Sequence, residues 1–593
     1  MAPANPAAVF QQAVMSYRQG RLDEAEAFAR TALKGAPTHP SILQMLGVIQ
    51  LRKKKPALAV DWFDRLLKVK PDSPDVLSNR GMALQDLGRL KEALASYDRA
   101  LKLKPDYVEA LLNRGNLLFS LKRFDEAVQN CTRLMAIDPD RPYLRGSLLS
   151  MRMSDCDWTD FEALSSDIAA RVGRGEPADD PLSFTWHSRS AALQLRCSEI
   201  YAAREFADKQ PLPPRPAVEH ERIRLAYLSG DFREHAVAYS FAGLFERHDR
   251  TRFEVTAVSY GQNDGSAMRS RLERAFDRFI DVRAMDDFTV ARQLRQAQID
   301  IVVDIVGYTA NHRASILALR PAPIQVIQQG FPATMGAPFV DYIVADRHVI
   351  PPELEAFYRE KVVRLPESFL VSDDAQPVAG PPPPRSAAGL PDQGFVFCSF
   401  NNSYKIIPAV FDVWMRLLRA VEGSVLWLRH EGDSATANLR REAEQRGVSA
   451  DRLVFARRID LGDHLARHRL ADLFVDTFPY TAHSTAAHAL WAGVPVLTLR
   501  GETFVSRVAS SLLHTSGLPE LVVDSLEAYE ALALKLATDG NLLRALRAKV
   551  EAGRTSSPLF DTDRFRRYLE AGYATMYQRW QRGEAPQSFD VPA

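Results

Sequence analysis

Cysteine is scarce in this chain of 593 residues: it occurs at 131, 156, 197 and 398, with no C-x-x-C pair and no Cys/His spacing suited to zinc. A disulfide framework and a structural zinc are therefore not expected, and a reducing compartment is the default. Net charge is missing as well, since 75 Lys and Arg stand against 74 Asp and Glu. Such balance argues against a surface that gathers nucleic acid by charge. No uncharged run reaches membrane-spanning length, and the opening MAPANPAAVFQQAV has no basic stretch followed by an apolar core. The expectation is a cytoplasmic protein without nucleic-acid or membrane partners, too long for one core and divided into three or four domains.

What the chain does have is a repeat. Prolines at 37, 71, 105 and 139, alanines at 25, 59, 93 and 127, and glycines at 47, 81 and 115 all keep a 34-residue step. A small residue in a first helix, an alanine in a second and a proline after it is the tetratricopeptide pattern of stacked helix pairs. One pair cannot bury its own apolar face, so neighbours stack and curve into a groove suited to an extended peptide. Asn79, Asn113, Arg80 and Arg114 recur at the same step and either line that groove or are solvated surface. The repeats are assigned to residues 1–140. Residues 141–208 still read as helical but lose the period, and CDWTD (156–160) looks like a final capping pair. A proline-rich break within 209–220 reads as a linker.

Beyond it, apolar runs at 223–228, 253–259, 301–305 and 324–328 alternate with helical stretches such as 266–276, 290–298 and one from about 238. Alternation of this kind indicates an α/β lobe with a mainly parallel sheet, assigned to 221–376. GYT (307–309) and GFPAT (330–334) follow strands and are either binding loops or plain turns. A second proline-rich linker (377–393) leads to another α/β lobe at 394–593, with strands expected at 395–400, 425–428 and 453–455. A final helix at 563–583 could cross back to brace the two lobes, and a cleft between lobes is a preferred ligand site.

The stretch from His464 to Arg507 shows the chemistry. Residues 472–476 (DLFVD) suit a buried strand, 477–483 a loop, and Ser484-Thr485 opens an Ala-rich helix that runs to Gly493. A second strand follows at 494–499, and Gly501-Glu502-Thr503 leads into a helix ending near Gly517. In a doubly wound sheet, ligands sit at the carboxyl ends of the strands, and free amides at a helix N-terminus make a phosphate seat. The plainer reading is that Ser484 only caps its helix.

On LSGDFREH (228–235), GYT, ALRPAPIQ (318–325), GFPATMGAPFVDYIVAD (330–346), SFNNSYKI (399–406), SVLWL (424–428), residues 470–513 and SSPLF (556–560), in that order, the chain resembles the tetratricopeptide-containing protein O-glycosyltransferases, the O-GlcNAc transferase and SPINDLY family. The resemblance covers nearly all of it. It implies an α-solenoid followed by a GT-B fold, two Rossmann-like lobes facing a cleft, with the nucleotide-sugar donor held mainly by the second lobe. It implies Lys405 at the donor β-phosphate, with Asn402 adding a hydrogen bond and His483, Ser484 and Thr485 completing the anion seat. His464 and Arg467 match base-side positions, and His235 matches a histidine near the sugar, read as positioning the donor rather than as the base.

Sugar transfer needs the charge growing on the departing diphosphate to be stabilised, by a metal or by fixed cations. Asp155-Cys-Asp157 and Asp561-Thr-Asp563 do not follow strands in a cleft, so no metal and no separate cofactor is expected. Three positions depart from the family pattern: His488 stands for an acidic residue at the ribose, Leu461 for a lysine, and Tyr239 for a second histidine. The expectation is an inverting transferase that moves GlcNAc from UDP-GlcNAc to Ser or Thr of a protein held by the repeats. Alternatives are another donor such as GDP-fucose, and a repeat scaffold with a degenerate transferase domain.

Overall fold

The computed structural model describes residues 5–216, 218–376 and 380–593. The first four residues and parts of both proline-rich breaks, 217 and 377–379, lie outside the described residues. The chain divides into two compact units, Met1–Leu144 and Arg145–Ala593.

In the first unit, helix pairs Pro6–Arg18/Leu22–Gly35, Pro40–Arg52/Pro56–Val69, Pro74–Asp86/Leu90–Leu103 and Val108–Ser120/Phe124–Ile137 repeat the sequence period. The registers have a packing cause. Gly47 and Gly81 leave room for the rings of Phe63 and Tyr97, which a Cβ would overlap, and Gly115 faces Asn130 in the same way. Ala25, Ala59, Ala93 and Ala127 are fully buried. Arg80 and Arg114 tie repeats together, donating to Asp64 (2.6 Å) and Asp98 (2.7 Å) from the preceding pair.

The second unit holds two wholly parallel sheets. The first contains β1 (Ile223–Ser229), β2 (Phe253–Ser259), β3 (Arg278–Asp281), β4 (Ile301–Asp304), β5 (Ile324–Gln328), β6 (Tyr342–Asp346) and β7 (Lys361–Leu365). The second contains β8 (Val396–Ser399), β9 (Val425–Arg429), β10 (Leu453–Ala456), β11 (Leu473–Val475), β12 (Val496–Leu499) and β13 (Val522–Val523), in the order β10-β9-β8-β11-β12-β13. Near the C-terminus, β14 (Phe589–Asp590) adds to the first sheet, giving β14-β7-β6-β5-β4-β1-β2-β3. Each sheet reverses direction once, between β1 and β4 and between β8 and β11. β3, β6, β7, β13 and β14 were not expected as strands: β3 is a half-exposed edge, and β13 and β14 have two residues each, too few for a period.

Three segments sit elsewhere than their place in the chain suggests. The last helix, Thr562–Gln581, packs on the first lobe: buried Glu570 accepts from His248 Nδ1 and the Asp249 amide, both at 2.9 Å, and Tyr573 donates to Gln328 at 2.9 Å. The helices of 145–206 belong to the second unit, and CDWTD is not a solenoid cap. Asp155 accepts from Ser434 (2.8 Å), the Trp158 indole from the same segment donates to the Ile406 carbonyl (3.2 Å), and Ser403 donates to the Ser154 carbonyl (2.6 Å). On its other side, Phe206 packs edge-on against Phe339 of the first lobe at 5.2 Å. The linker is likewise a strap laid on the first lobe, with the Leu212 amide bonded to the Leu319 carbonyl at 2.8 Å.

Candidate active site

Parallel sheets gather loops at strand carboxyl ends, and the reversal point is where two neighbouring loops splay apart. In the second lobe these are the loops after β8 and after β11. The first carries Asn401, Asn402 and Lys405, the last within a short 3₁₀ turn, Ser403–Lys405. The second carries Asp476 through His483 and enters the helix Ser484–Trp491. That helix has His483 at its N-cap, not Ser484, and no side chain caps it. Ser484 and Thr485 are its first two residues, whose amides have no carbonyl four positions back within the helix.

Buried polar groups bolt the two loops together. Asp476 accepts from the Ala482 amide (2.7 Å), the Thr477 amide (2.8 Å) and the Thr498 hydroxyl (2.7 Å). Asn401 donates to Asp476 (3.1 Å) and Thr477 (2.8 Å) and accepts from the Thr485 hydroxyl (2.6 Å). Neither Asn401 nor Asp476 was singled out in the sequence. Each is a polar residue just past a buried strand, but nothing in the local sequence pairs them.

Lys405 is 7% exposed, its ammonium donating to the Thr481 carbonyl at 3.0 Å and lying 3.9 Å from the Tyr480 ring centre. Among the described residues no carboxylate comes within ion-pair distance of it. Burial pulls its pKa down to about 7, against the pull of Asp476, while burial pushes Asp476 up to about 6. Asn402 bridges the Tyr404 hydroxyl (2.9 Å) and Arg429, and the Tyr404 ring stacks on Trp186 of the helical segment at 3.9 Å.

A histidine group forms the other end. Arg467 donates to His464 Nδ1 (3.0 Å) and to the Arg457 carbonyl (2.7 Å). The His464 ring lies 6.3 Å from that of His488 and 4.3 Å from that of His468, a buried residue absent from the sequence reading. Burial keeps all three neutral at pH 7, with His488 lowered to about 4 and His468 to about 3. Burial also lowers Arg467, to about 10.

From the first lobe, His235 is the N-cap of the helix Ala236–Arg247, its Nδ1 accepting from the Val237 amide at 3.3 Å. Burial lowers its pKa, with Arg458 of the second lobe among the charges it feels. Gly307 and Gly330 serve close packing: a Cβ on the first would strike Phe331, and one on the second the Ile305 carbonyl. Among the described residues no group of three or more His, Cys, Asp or Glu side chains is arranged to hold a metal.

The model of glycosyl transferase family 41 matches residues 188–379 and 383–569, more than half of the chain. The chain belongs to glycosyl transferase family 41. Tetratricopeptide models match 16–80 and 79–142. Similar proteins include a probable UDP-N-acetylglucosamine–peptide N-acetylglucosaminyltransferase SEC from Arabidopsis thaliana, 35% identical over 74% of this chain and 47% of its own length. A probable enzyme of the same description, SPINDLY from Solanum lycopersicum, is 34% identical over 66% of this chain and 42% of its own. The chain thus spans about half the length of the curated relatives it matches. A mutant O-GlcNAc transferase from Thermobaculum terrenum superposes with a TM-score of 0.70 at 28% identity, covering 92% of this chain and 99% of that one. The family member described here is accordingly an α-solenoid followed by a GT-B fold. Among the described residues no helix is long and apolar enough to cross a membrane.

Proposed function

We propose that this family 41 member is an inverting, metal-independent protein O-glycosyltransferase that moves GlcNAc from UDP-GlcNAc to a Ser or Thr hydroxyl. The observation that carries the reading is Lys405, a buried ammonium with no carboxylate at ion-pair distance among the described residues, 3.0 Å from the loop that feeds a helix N-terminus. A buried cation is costly until an anion joins it, and the donor diphosphate supplies that charge. In the proposed step, the acceptor oxygen bonds to the anomeric carbon while the bond from that carbon to the β-phosphate oxygen breaks. The electron pair leaves on UDP, where Lys405 and the amides of Ser484 and Thr485 receive it, and the hydroxyl proton is released. Such preorganised donors act most where charge develops.

Asn402 and the His483 backbone extend the phosphate seat, and His464, Arg467 and His488 form the nucleoside end. A neutral His488 offers one donor and one acceptor to the ribose, where a carboxylate would offer acceptors only. His235 is assigned to positioning. Its Nδ1 accepts from the Val237 amide, so the neutral ring carries its proton on Nε2 and presents a donor there. The tetratricopeptide groove is the proposed seat of the acceptor protein. All four cysteines are buried, in keeping with a reducing cytoplasm.

The test is calorimetric titration of purified protein with UDP and GDP, followed by transfer of labelled sugar to candidate acceptors. UDP binding with transfer from UDP-GlcNAc is expected. GDP binding in preference to UDP would overturn the donor assignment, and binding without transfer to any acceptor would favour a scaffold.

A further inference from the structure

Resting on that donor reading, we infer that Arg429 is a second donor-binding cation, contacting the α-phosphate next to the ribose. It ends β9, whose Leu428 pairs with Ser399 of β8, so it emerges on the edge that carries Asn402 and Lys405. Its guanidinium is held on two sides: Nε lies 2.9 Å from Glu431 Oε1, and Nη1 donates to Asn402 Oδ1 at 2.5 Å. Among the described residues Nη2 has no hydrogen-bond partner, and the side chain is 35% exposed. The group is therefore oriented yet open.

Its place along the donor follows from the strand order. β9 lies between β8, whose loop carries Lys405, and β10, whose loop leads into the helix of His464 and Arg467, so Arg429 stands between the β-phosphate and base ends, and its charge is felt at all three residues. Between those ends a nucleoside diphosphate has its α-phosphate and ribose, and a guanidinium fork matches phosphate oxygens best. The other groups there cannot supply the charge. Leu461 is apolar, His464 and His488 are neutral, and Arg467 spends Nε and Nη1 on His464 and Arg457.

The experiment compares UDP, UMP and uridine on wild type, Arg429→Gln and Arg429→Lys, by calorimetry for the nucleotides and saturation-transfer NMR for uridine. Loss of one charge-assisted bond should weaken UDP and UMP about tenfold in Arg429→Gln and leave uridine unchanged. Arg429→Lys should recover part of the loss, and the donor KM should rise with kcat unchanged. Equal UDP affinity in wild type and Arg429→Gln would overturn the inference alone, as would an equal loss for uridine, which marks a merely structural role. Wild type that fails to bind UDP would instead sink the donor reading, and this role with it.

Discussion

The Lys405 ammonium donates to the Thr481 carbonyl across 3.0 Å, so one cation is shared by the loop leaving β8 and the loop entering the helix Ser484–Trp491. This bond spans the reversal point of the second sheet. On the proposed reading it fixes the charge on the loop that feeds the helix before a donor arrives, and a preorganised charge need not reorganise as the leaving group develops its own. Replacing Lys405 with Met keeps the stem volume and removes the charge. Transfer should fall by about a hundredfold to a thousandfold, the range seen when one preorganised donor is lost. The melting temperature should not fall, because the buried charge was a cost to the fold; a variant that melts early would show Lys405 to be structural.

The same burial predicts a pH dependence. Lys405 is lowered from 10.5 to about 7, so above pH 7 the free protein increasingly holds a neutral amine. If donor phosphate meets this ammonium as proposed, binding takes up a proton there, and UDP affinity should drop about tenfold per pH unit above 7. For folding the sign is opposite: between about 7 and 10.5 the unfolded chain binds the extra proton, and stability from this group rises with pH. Calorimetry at pH 8 in buffers of different ionisation enthalpy should report uptake of close to one proton. Lys405→Met should abolish that uptake, and an unchanged uptake would place the titrating group elsewhere.

In the repeats, Gly81 admits the Tyr97 ring. Gly81→Val would force that ring aside within a closely packed helix pair, a change that costs about 1–3 kcal/mol. The expected result is an earlier helical melt of the first unit by circular dichroism. Gly88→Ala, at a glycine with open space around it but a positive φ of 72°, tests strain without overlap and should cost about 1 kcal/mol.

The repeats and the α/β alternation were legible because both rest on periods: a 34-residue step whose glycines meet rings, and apolar runs that become β1, β2, β4 and β5. Ser484 and Thr485 stood out as candidates because they follow a strand and open a helix, whereas Lys405 and His483 were named through the family resemblance. Three things were hidden. Asp476 and Asn401 act through each other across 75 residues, and no local pattern reports such a pair. His468 was not singled out, because nothing local distinguishes it from other polar residues, yet it is fully buried with its ring 4.3 Å from that of His464. CDWTD read as the end of the solenoid because it follows it in sequence, whereas the carbonyls that its Cys156 and Trp158 meet, those of Ser403 and Ile406, lie about 250 residues away.

The return of the last helix to the first lobe yields the final prediction. Glu570 is 1% exposed, and its carboxylate receives His248 Nδ1, the Asp249 amide and Arg566 Nη1, the last at 2.7 Å. His248 is equally buried, and its pKa is lowered by that burial, so its neutral ring donates from Nδ1 to the carboxylate. Glu570→Ala would leave an imidazole N–H and an amide buried without acceptors and the Arg566 guanidinium short of its carboxylate, at a cost of about 3–5 kcal/mol. Glu570→Gln keeps one acceptor oxygen for His248 and should cost less than half as much. Because Glu570 lies on the face of the helix turned to the first lobe, the loss should appear as faster hydrogen exchange in β1, β5 and the helix Ala236–Arg247. Exchange quickening instead in the second sheet would show that the C-terminal helix braces the lobe that precedes it in sequence.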